Sequence, residues 1–139
     1  MDVWKQFEEN GLTHSAAHHL LAIIELKEKR GYARVTDVAR YLNITTGSAS
    51  TNLKILRQKK LVIEDDNRFL SLSVEGEGLA NFVLARKGLF LRFFKEVLGV
   101  SEEQSDIDSC KIEHLVGAET TQKLQQFLDL LAKQKSAKN

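Results

Sequence analysis

The chain of 139 residues contains no proline and a single cysteine. Proline breaks helix interiors, so its absence favours long uninterrupted helices joined by short turns. One cysteine excludes a disulfide within the chain and fits a reducing cytoplasm. No apolar run reaches the ~18 residues that a membrane-spanning helix needs, and the N-terminus does not resemble a signal peptide. We therefore expect a cytoplasmic, globular protein without membrane contact.

Charge is nearly balanced overall, at +1, but it is unevenly distributed. Residues 34–60 carry six basic side chains against one acidic, whereas residues 99–121 carry one basic against six acidic. A basic segment followed by an acidic one indicates a nucleic-acid surface and a separate region that attracts cations. The alternative is that both segments are ordinary solvated helix faces.

Three segments in the first half have helical apolar periodicity, each preceded by a residue suited to capping a helix. The expected N-caps are Thr13, Thr36, and either Thr45 or Thr46. Gly31 is expected to end the first helix. The second and third helices, separated by a short turn at residues 43–45, fit a helix-turn-helix. Residues 2–12 could add a short helix or arm packed by Trp4 and Phe7.

Two strand-like runs, residues 61–64 and 69–73, flank the polar turn Asp-Asp-Asn-Arg and predict a β-hairpin. A hairpin at this position is typical of the wing of a winged helix. In such readers the third helix enters the major groove and basic side chains contact phosphates. The candidate DNA-binding residues, which are small, polar or basic, are Arg34, Thr36, Thr45, Gly47, Ser48, Thr51, Asn52, Lys54, Arg57 and Arg68.

The second half predicts three further helices: a long one over about residues 74–98, one after the capping box of Ser101 and Gln104, and one after Gly117. The last residues, from Lys133 on, are expected to fray. Phe90, Phe93, Phe94 and the leucine-rich last helix predict a dimer interface, the alternative being a monomer core. The expected fold is mainly α: a winged helix-turn-helix DNA-binding domain (1–73) plus an all-helical dimerisation and metal-binding domain (74–139).

Cys110, Glu113 and His114 have the spacing C-x-x-E-H, which places them on one face of a helix. A thiolate, a carboxylate and an imidazole that converge suit a divalent transition metal. Taken singly, Cys110 is more often a small buried apolar residue, and His114 could cap a helix or pair with a carboxylate. After a helix-turn-helix, however, such a cluster indicates a metal-controlled gene regulator.

Four segments together resemble the diphtheria-toxin-repressor family, which includes the manganese transport regulators. They are Gly-Tyr-Ala-Arg-Val-Thr-Asp-Val-Ala at 31–39, Leu-Ser-Val-Glu-Gly at 72–76, Leu-Gly-Val at 98–100 and Cys-Lys-Ile-Glu-His at 110–114. The resemblance runs from about Leu12 to about Leu131. It implies a homodimeric repressor whose metal-bound form binds double-stranded operator DNA of iron- or manganese-uptake genes. Longer members add an SH3-like domain, and this chain is similar to the shorter ones.

The resemblance also implies a ligand set. The first-helix ligand falls on His18, where relatives have Met or Asp, and the others fall on Cys110, Glu113 and His114. Thiolate in place of carboxylate argues for Fe(II), with Co(II), Ni(II) or Zn(II) also compatible, over Mn(II). His14 and His18 are spaced i, i+4, so a histidine pair on the first helix is a variant arrangement. Otherwise His14 and His19 are expected on the surface.

The family's second metal site is expected to be lost. Its histidine falls on Lys87 or Gly88 and its carboxylate on Leu91, which leaves Asp106 as a lone remaining ligand. Other interpretations stay open: a winged-helix regulator that has lost metal control, a winged-helix protein-interaction module, or a closed structural zinc site. No nucleophile elbow or phosphate loop is present, so we expect neither an enzyme nor a small organic substrate.

Overall fold

The structure is a computed structural model, and it describes residues 13–113 and 115–138. The predicted arm at residues 2–12, with Trp4 and Phe7, lies outside these ranges. The elements in chain order are α1 (His14–Arg30), α2 (Val35–Leu42), α3 (Thr46–Gln58), β1 (Val62–Glu64), β2 (Leu70–Leu72), α4 (Val74–Arg92), a π-helix (Phe93–Val97), α5 (Glu102–Ile112) and α6 (Ala118–Lys138). The chain divides into two compact units, and the boundary between Phe82 and Val83 falls within α4.

The bounds of α1 follow from its two caps. The Thr13 hydroxyl accepts a hydrogen bond from the Ala16 N–H at 3.1 Å. At the other end, Gly31 has the left-handed φ of 84° that glycine tolerates best, and its N–H donates to the Lys27 carbonyl at 2.8 Å. Both predictions for this helix are confirmed. Its inward side chains, which form part of the core, are Ala17, Leu20, Ala22, Ile23 and Leu26.

The start of α2 differs from the prediction that Thr36 caps it. The cap is Arg34, and Thr36 lies exposed within the first turn. The Asp37 carboxylate takes the capping role instead, since it accepts a hydrogen bond from the Arg34 N–H at 3.0 Å. Asp37 is almost buried and also pairs with Arg30 at 3.4 Å. The only acidic residue of the basic segment is therefore neutralised within the fold.

The third helix and the hairpin form as predicted. Thr45 caps α3 by accepting from the Ser48 N–H at 3.1 Å. The strands β1 and β2 are antiparallel, with Val62 opposite Leu72 and Glu64 opposite Leu70. The Leu70 N–H also donates to the Ala33 carbonyl at 2.7 Å, which ties the hairpin to the segment before α2. This arrangement is a helix-turn-helix with a wing.

The first turns of α4 are part of the first unit. The Ser73 hydroxyl donates to the Lys60 carbonyl at 2.7 Å and accepts from the Gly76 N–H at 3.0 Å. Gly76 lies so close to the hairpin that a Cβ at this position would stand 2.1 Å from the Leu61 carbonyl oxygen. The first unit therefore extends past the wing because the helix start packs directly on it.

The second unit departs from the prediction in two places. The long helix changes at Phe93 from α to π geometry and ends at Val97. The last helix continues to Lys138, so the expectation that residues from Lys133 on fray is wrong. The Ser101 cap of α5 is confirmed, because its hydroxyl accepts from the Gln104 N–H at 3.3 Å. None of the helices within the described residues has the length and apolarity to cross a membrane.

Candidate metal centre and nucleic-acid interface

Two imidazoles lie side by side at the start of α1. His14 is exposed and His18 is half-buried, and their ring centroids are 4.2 Å apart. One ring nitrogen of each lies within 4.8 Å of the other. The spacing of four residues produces this pair, because residues i and i+4 of a helix are neighbours on its surface. The first unit thus offers two nitrogen donors of intermediate softness at one position.

A thiol and a carboxylate form a second donor pair at the end of α5. Cys110 is half-buried in the last turn of α5, and Glu113 is the buried C-cap residue, with only 3% of its surface exposed. The Cys110 Sγ and a Glu113 carboxylate oxygen lie within 4.8 Å of each other. The Glu113 N–H donates to the Ser109 carbonyl at 3.2 Å, so the backbone retains helical spacing through both residues.

Burial shifts both members of this pair toward their neutral forms. Burial raises the pKa of Glu113 to about 7, and the nearby Lys87 and Arg86 side chains only partly offset this rise. Burial also raises the pKa of the Cys110 thiol above its ordinary value, and the neighbouring Glu113 charge adds to the rise. A divalent cation would reverse this preference, since it stabilises the deprotonated ligands. The chemistry of the donors therefore fits a transition metal.

Basic side chains of α4 belong to the surroundings of this pair. Lys87 Nζ lies 3.3 Å from Asp106 Oδ1 on α5. Arg86 is buried, with 3% of its surface exposed, and its charge lowers the pKa of Glu113. The sequence did not predict a role for Arg86, because its burial depends on how α4 packs and no motif marks it.

The predicted metal ligands have different outcomes in the structure. His18, Cys110 and Glu113 each stand beside another donor, and His14 completes the pair on α1, as its spacing allowed. His114 lies outside the described residues. The prediction that His19 lies on the surface is wrong. His19 is buried, and its Nδ1 donates to the Ser15 carbonyl at 2.6 Å.

The candidate DNA-reading residues of α3 are presented to solvent. Thr45, Gly47, Ser48 and Thr51 are exposed, and Asn52 is half-buried. The Thr51 hydroxyl donates to the Gly47 carbonyl and the Asn52 amide to the Ser48 carbonyl, each at 3.0 Å. Their remaining lone pairs can accept hydrogen bonds, so this helix face suits contacts with base-edge donors.

The candidate phosphate-contacting residues fall into two groups. Lys54 and Arg68 are exposed, and Arg68 adopts the left-handed φ of 66° at the wing turn. Arg34 and Arg57 contact other side chains: the Arg34 guanidinium lies 4.4 Å from the Phe69 ring centroid, and Arg57 pairs with Glu64. The first group is the more available to a partner.

Comparisons with known proteins agree with this arrangement. Residues 73–137 match the family described as iron dependent repressor, metal binding and dimerisation domain. The HTH-type transcriptional regulator MntR of Lysinibacillus sphaericus is 31% identical over 102 residues, which cover 73% of each chain. The diphtheria toxin repressor of Corynebacterium jeikeium is 26% identical over 84% of this chain and 49% of its own. The metal-dependent transcriptional regulator MtsR superposes with a TM-score of 0.77 at 19% identity, over 82% of this chain and 53% of its own.

The chain therefore belongs to the diphtheria-toxin-repressor family of metal-dependent transcriptional repressors, as its motifs predicted. Members of this family are transcriptional regulators and not enzymes. The predicted fold class, a mainly helical winged helix-turn-helix protein, is confirmed by the structure and by the likeness to MtsR.

Proposed function

We propose that this protein is a cytoplasmic, homodimeric repressor that binds operator DNA when one divalent metal ion joins its two donor pairs. The observation that carries the proposal is the pairing itself. His14 with His18, and Cys110 with Glu113, each place two ligand atoms within 4.8 Å. His114 belongs to the proposed set through the family motif. A lone histidine or cysteine has many structural explanations, whereas two pairs of neighbouring donors, one in each unit of a chain from a metalloregulator family, have few.

The ligand types set the preferred metal. Thiolate and imidazole favour Fe(II), Co(II), Ni(II) or Zn(II), and a site made only of carboxylates and carbonyls favours Mn(II). Fe(II) is our first candidate, because the family matched by residues 73–137 is one of iron dependent repressors. The manganese regulators among the relatives make Mn(II) the main rival.

The location of the donors explains how metal would control DNA binding. Helix α1 packs on α2, α3 and β2, so the histidine pair is fixed to the DNA-reading elements. Cys110 and Glu113 belong to the second unit. A bound ion would supply the positive charge that holds ligands from both units at one point. The recognition helices of a dimer would then keep the spacing of one DNA turn, ~34 Å.

The second unit carries the apolar surface that a dimer would bury. Leu98, Phe127 and Leu130 are 58%, 44% and 59% exposed. Phe127 also stacks edge-on against Phe93, at 6.5 Å between ring centroids, so its ring is held in place. Ordered apolar side chains at a surface favour a protein partner, and a second copy of this chain gives the two-fold symmetry of an operator.

The first test is anaerobic fluorescence anisotropy on a duplex from the gene's own upstream region. Chelated protein is compared with protein given Fe(II), Mn(II) or Zn(II). We expect tight binding with metal only. The coupling must be reciprocal, so the duplex should tighten metal binding by the same factor.

Variants assign the site. His18→Ala, Cys110→Ala and Glu113→Gln should each remove the metal response while circular dichroism shows an unchanged helix content. Glu103→Gln is the matched control, because Glu103 is an exposed acid on the same helix as Cys110. A normal response in His18→Ala and Cys110→Ala would refute the ligand assignment. Equal binding with and without metal would indicate a regulator that has lost metal control, and no binding to any duplex would indicate a protein-interaction module.

A further inference from the structure

One face of α5 carries more acidic donors than a single metal site needs. Asp106, Cys110 and Glu113 follow the spacing i, i+4, i+7, which places them along one stripe of the helix. Burial raises the pKa of the Cys110 thiol, and the charges of Glu113 and, to a smaller extent, Asp106 add to the rise. Once metal binding has deprotonated Cys110 and Glu113, the stripe carries three anionic groups, a charge that attracts cations beyond the one in the site.

The Lys87 ammonium, which belongs to α4, lies against this stripe of α5 at Asp106. Its Nζ is 3.3 Å from Asp106 Oδ1, and 30% of its side chain is exposed. Its charge also acts on Cys110 and Glu113, at both of which it favours the anionic form. The ammonium therefore neutralises the acidic group that lies outside the proposed ligand set, and it stays within electrostatic reach of two groups that are inside it.

We propose that Lys87 is a fixed cation of this centre, and that its pairing with Asp106 limits the centre to one divalent ion per chain. The inference rests on the proposed metal site. The ammonium acts in two ways: it pairs with Oδ1 of the Asp106 carboxylate, and it repels a second cation from the stripe. Lys87 is thus a residue that sets metal stoichiometry without being a ligand.

Metal content measures this directly and does not depend on DNA binding. The full chain is dialysed anaerobically to equilibrium against saturating Co(II), and bound cobalt per chain is determined by elemental analysis. We expect one ion for the wild type and two for Lys87→Glu, which removes the ammonium and adds a carboxylate beside Asp106. The double variant Lys87→Glu with Asp106→Asn should return to one ion.

Lys95→Glu is the matched control. Lys95 pairs with Glu102 of α5 at 3.4 Å, so the change breaks a similar ion pair and alters the charge equally, away from the stripe. It should leave one ion per chain. If Lys95→Glu also bound two ions per chain, the effect of Lys87→Glu would come from the change in net charge alone, and the inference would be wrong.

The remaining outcomes separate the two proposals. A wild type that binds two ions refutes the role of Lys87 and leaves metal control intact, whereas a wild type that binds none refutes the metal site and this inference with it. One ion in Lys87→Glu refutes the role of Lys87. Should that variant fail to fold, the neutral Lys87→Gln serves instead. If Lys87→Gln binds a second ion at millimolar Co(II) and the wild type does not, the inference is supported. If Lys87→Gln binds one ion under the same conditions, the inference is refuted.

Discussion

A carboxylate oxygen of Glu113 lies within 4.8 Å of the Cys110 Sγ, and burial raises the pKa of both groups. A metal must displace their protons, so affinity should depend strongly on pH. Above pH 7 the Cys110 thiol is the member of this pair that must still lose its proton. The dissociation constant for Co(II) should therefore rise about tenfold for each unit by which the pH is lowered. Below pH 7, where Glu113 is protonated as well, the rise should be steeper. Titrations that follow the cobalt–thiolate absorption would measure it, and a flat profile from pH 6 to pH 8 would contradict this ligand pair.

The same carboxyl should influence the stability of the metal-free protein. The pKa of Glu113 is about 7 in the fold against 4.5 ordinarily, so the folded state binds this proton more tightly than the unfolded state does. The resulting stability is fully present below pH 4.5 and is lost as pH rises through about 7. Glu113→Gln removes the ionisation and should raise the free energy of unfolding at pH 8 by about 2 kcal/mol, with little change at pH 4.

Urea unfolding of the chelated protein at the two pH values tests this. Glu103→Gln, which removes an exposed charge from the same helix, should change the free energy of unfolding by less than about 0.5 kcal/mol at either pH. Stabilisation by Glu113→Gln that is equal at pH 4 and pH 8 would come from the amide's contacts and would show that ionisation of Glu113 is not the cause.

The start of α2 can be tested by two neighbouring substitutions. Asp37 accepts the Arg34 N–H and pairs with Arg30, whereas Thr36 is exposed. Asp37→Ala should therefore lower the free energy of unfolding by about 2 kcal/mol, because the capping hydrogen bond and the ion pair of a nearly buried carboxylate are both lost. Thr36→Ala should change it by less than about 0.5 kcal/mol. A larger loss of stability in Thr36→Ala than in Asp37→Ala would indicate that Thr36 caps the helix.

Two glycines of α4 should respond in opposite directions to alanine. A Cβ on Gly76 would stand 2.1 Å from the Leu61 carbonyl oxygen, and one on Gly78 would meet nothing within 4 Å. Gly78→Ala should stabilise by about 0.5–1 kcal/mol through helix propensity. Gly76→Ala should destabilise by about 2 kcal/mol or more, since backbone must move. Thermal unfolding of the two variants under identical conditions measures the contrast, and stabilisation by both would mean that α4 does not pack on the hairpin this closely.

The features predicted correctly from sequence are those fixed by neighbouring residues. The caps at Thr13 and Ser101 and the end at Gly31 each depend on groups within four residues. The errors concern competition between distant groups. The Asp37 carboxylate, and not the Thr36 hydroxyl, accepts the capping hydrogen bond of Arg34, and Arg30, seven residues away, also pairs with this carboxylate. The burial of His19 depends on packing around α1 and has no local signal.

The candidate site shows the same division. The i, i+4 spacing of His14 and His18 allowed their contact as a variant of the predicted ligand set, and the motif predicted that Cys110 lies beside Glu113. The ion pair of Lys87 with Asp106 joins residues nineteen positions apart on two helices. Helical periodicity fixes which face of a helix each residue occupies, but not which turn of one helix contacts which turn of another. The ion pair of Lys87 with Asp106 therefore could not be predicted from the sequence.

Two basic residues of α3 should differ in their contribution to DNA binding. Lys54 is exposed, whereas the Arg57 guanidinium is held by Glu64. Lys54→Ala should weaken binding to all duplexes and reduce the slope of log K against log salt by about 0.9, the value for one phosphate contact. Arg57→Ala should reduce the slope by less than half of that, because phosphate must compete with the Glu64 carboxylate.

Anisotropy titrations of the metal-loaded protein between 50 and 200 mM salt, on specific and unrelated duplexes, measure both slopes. The double variant Glu64→Gln with Arg57→Ala serves as the control: against Glu64→Gln alone, Arg57→Ala should now cost a full contact, since the carboxylate no longer competes. Equal slopes for Lys54→Ala and Arg57→Ala in the otherwise native chain would mean that the Arg57–Glu64 pair opens on DNA, and that α3 presents both cations to the backbone.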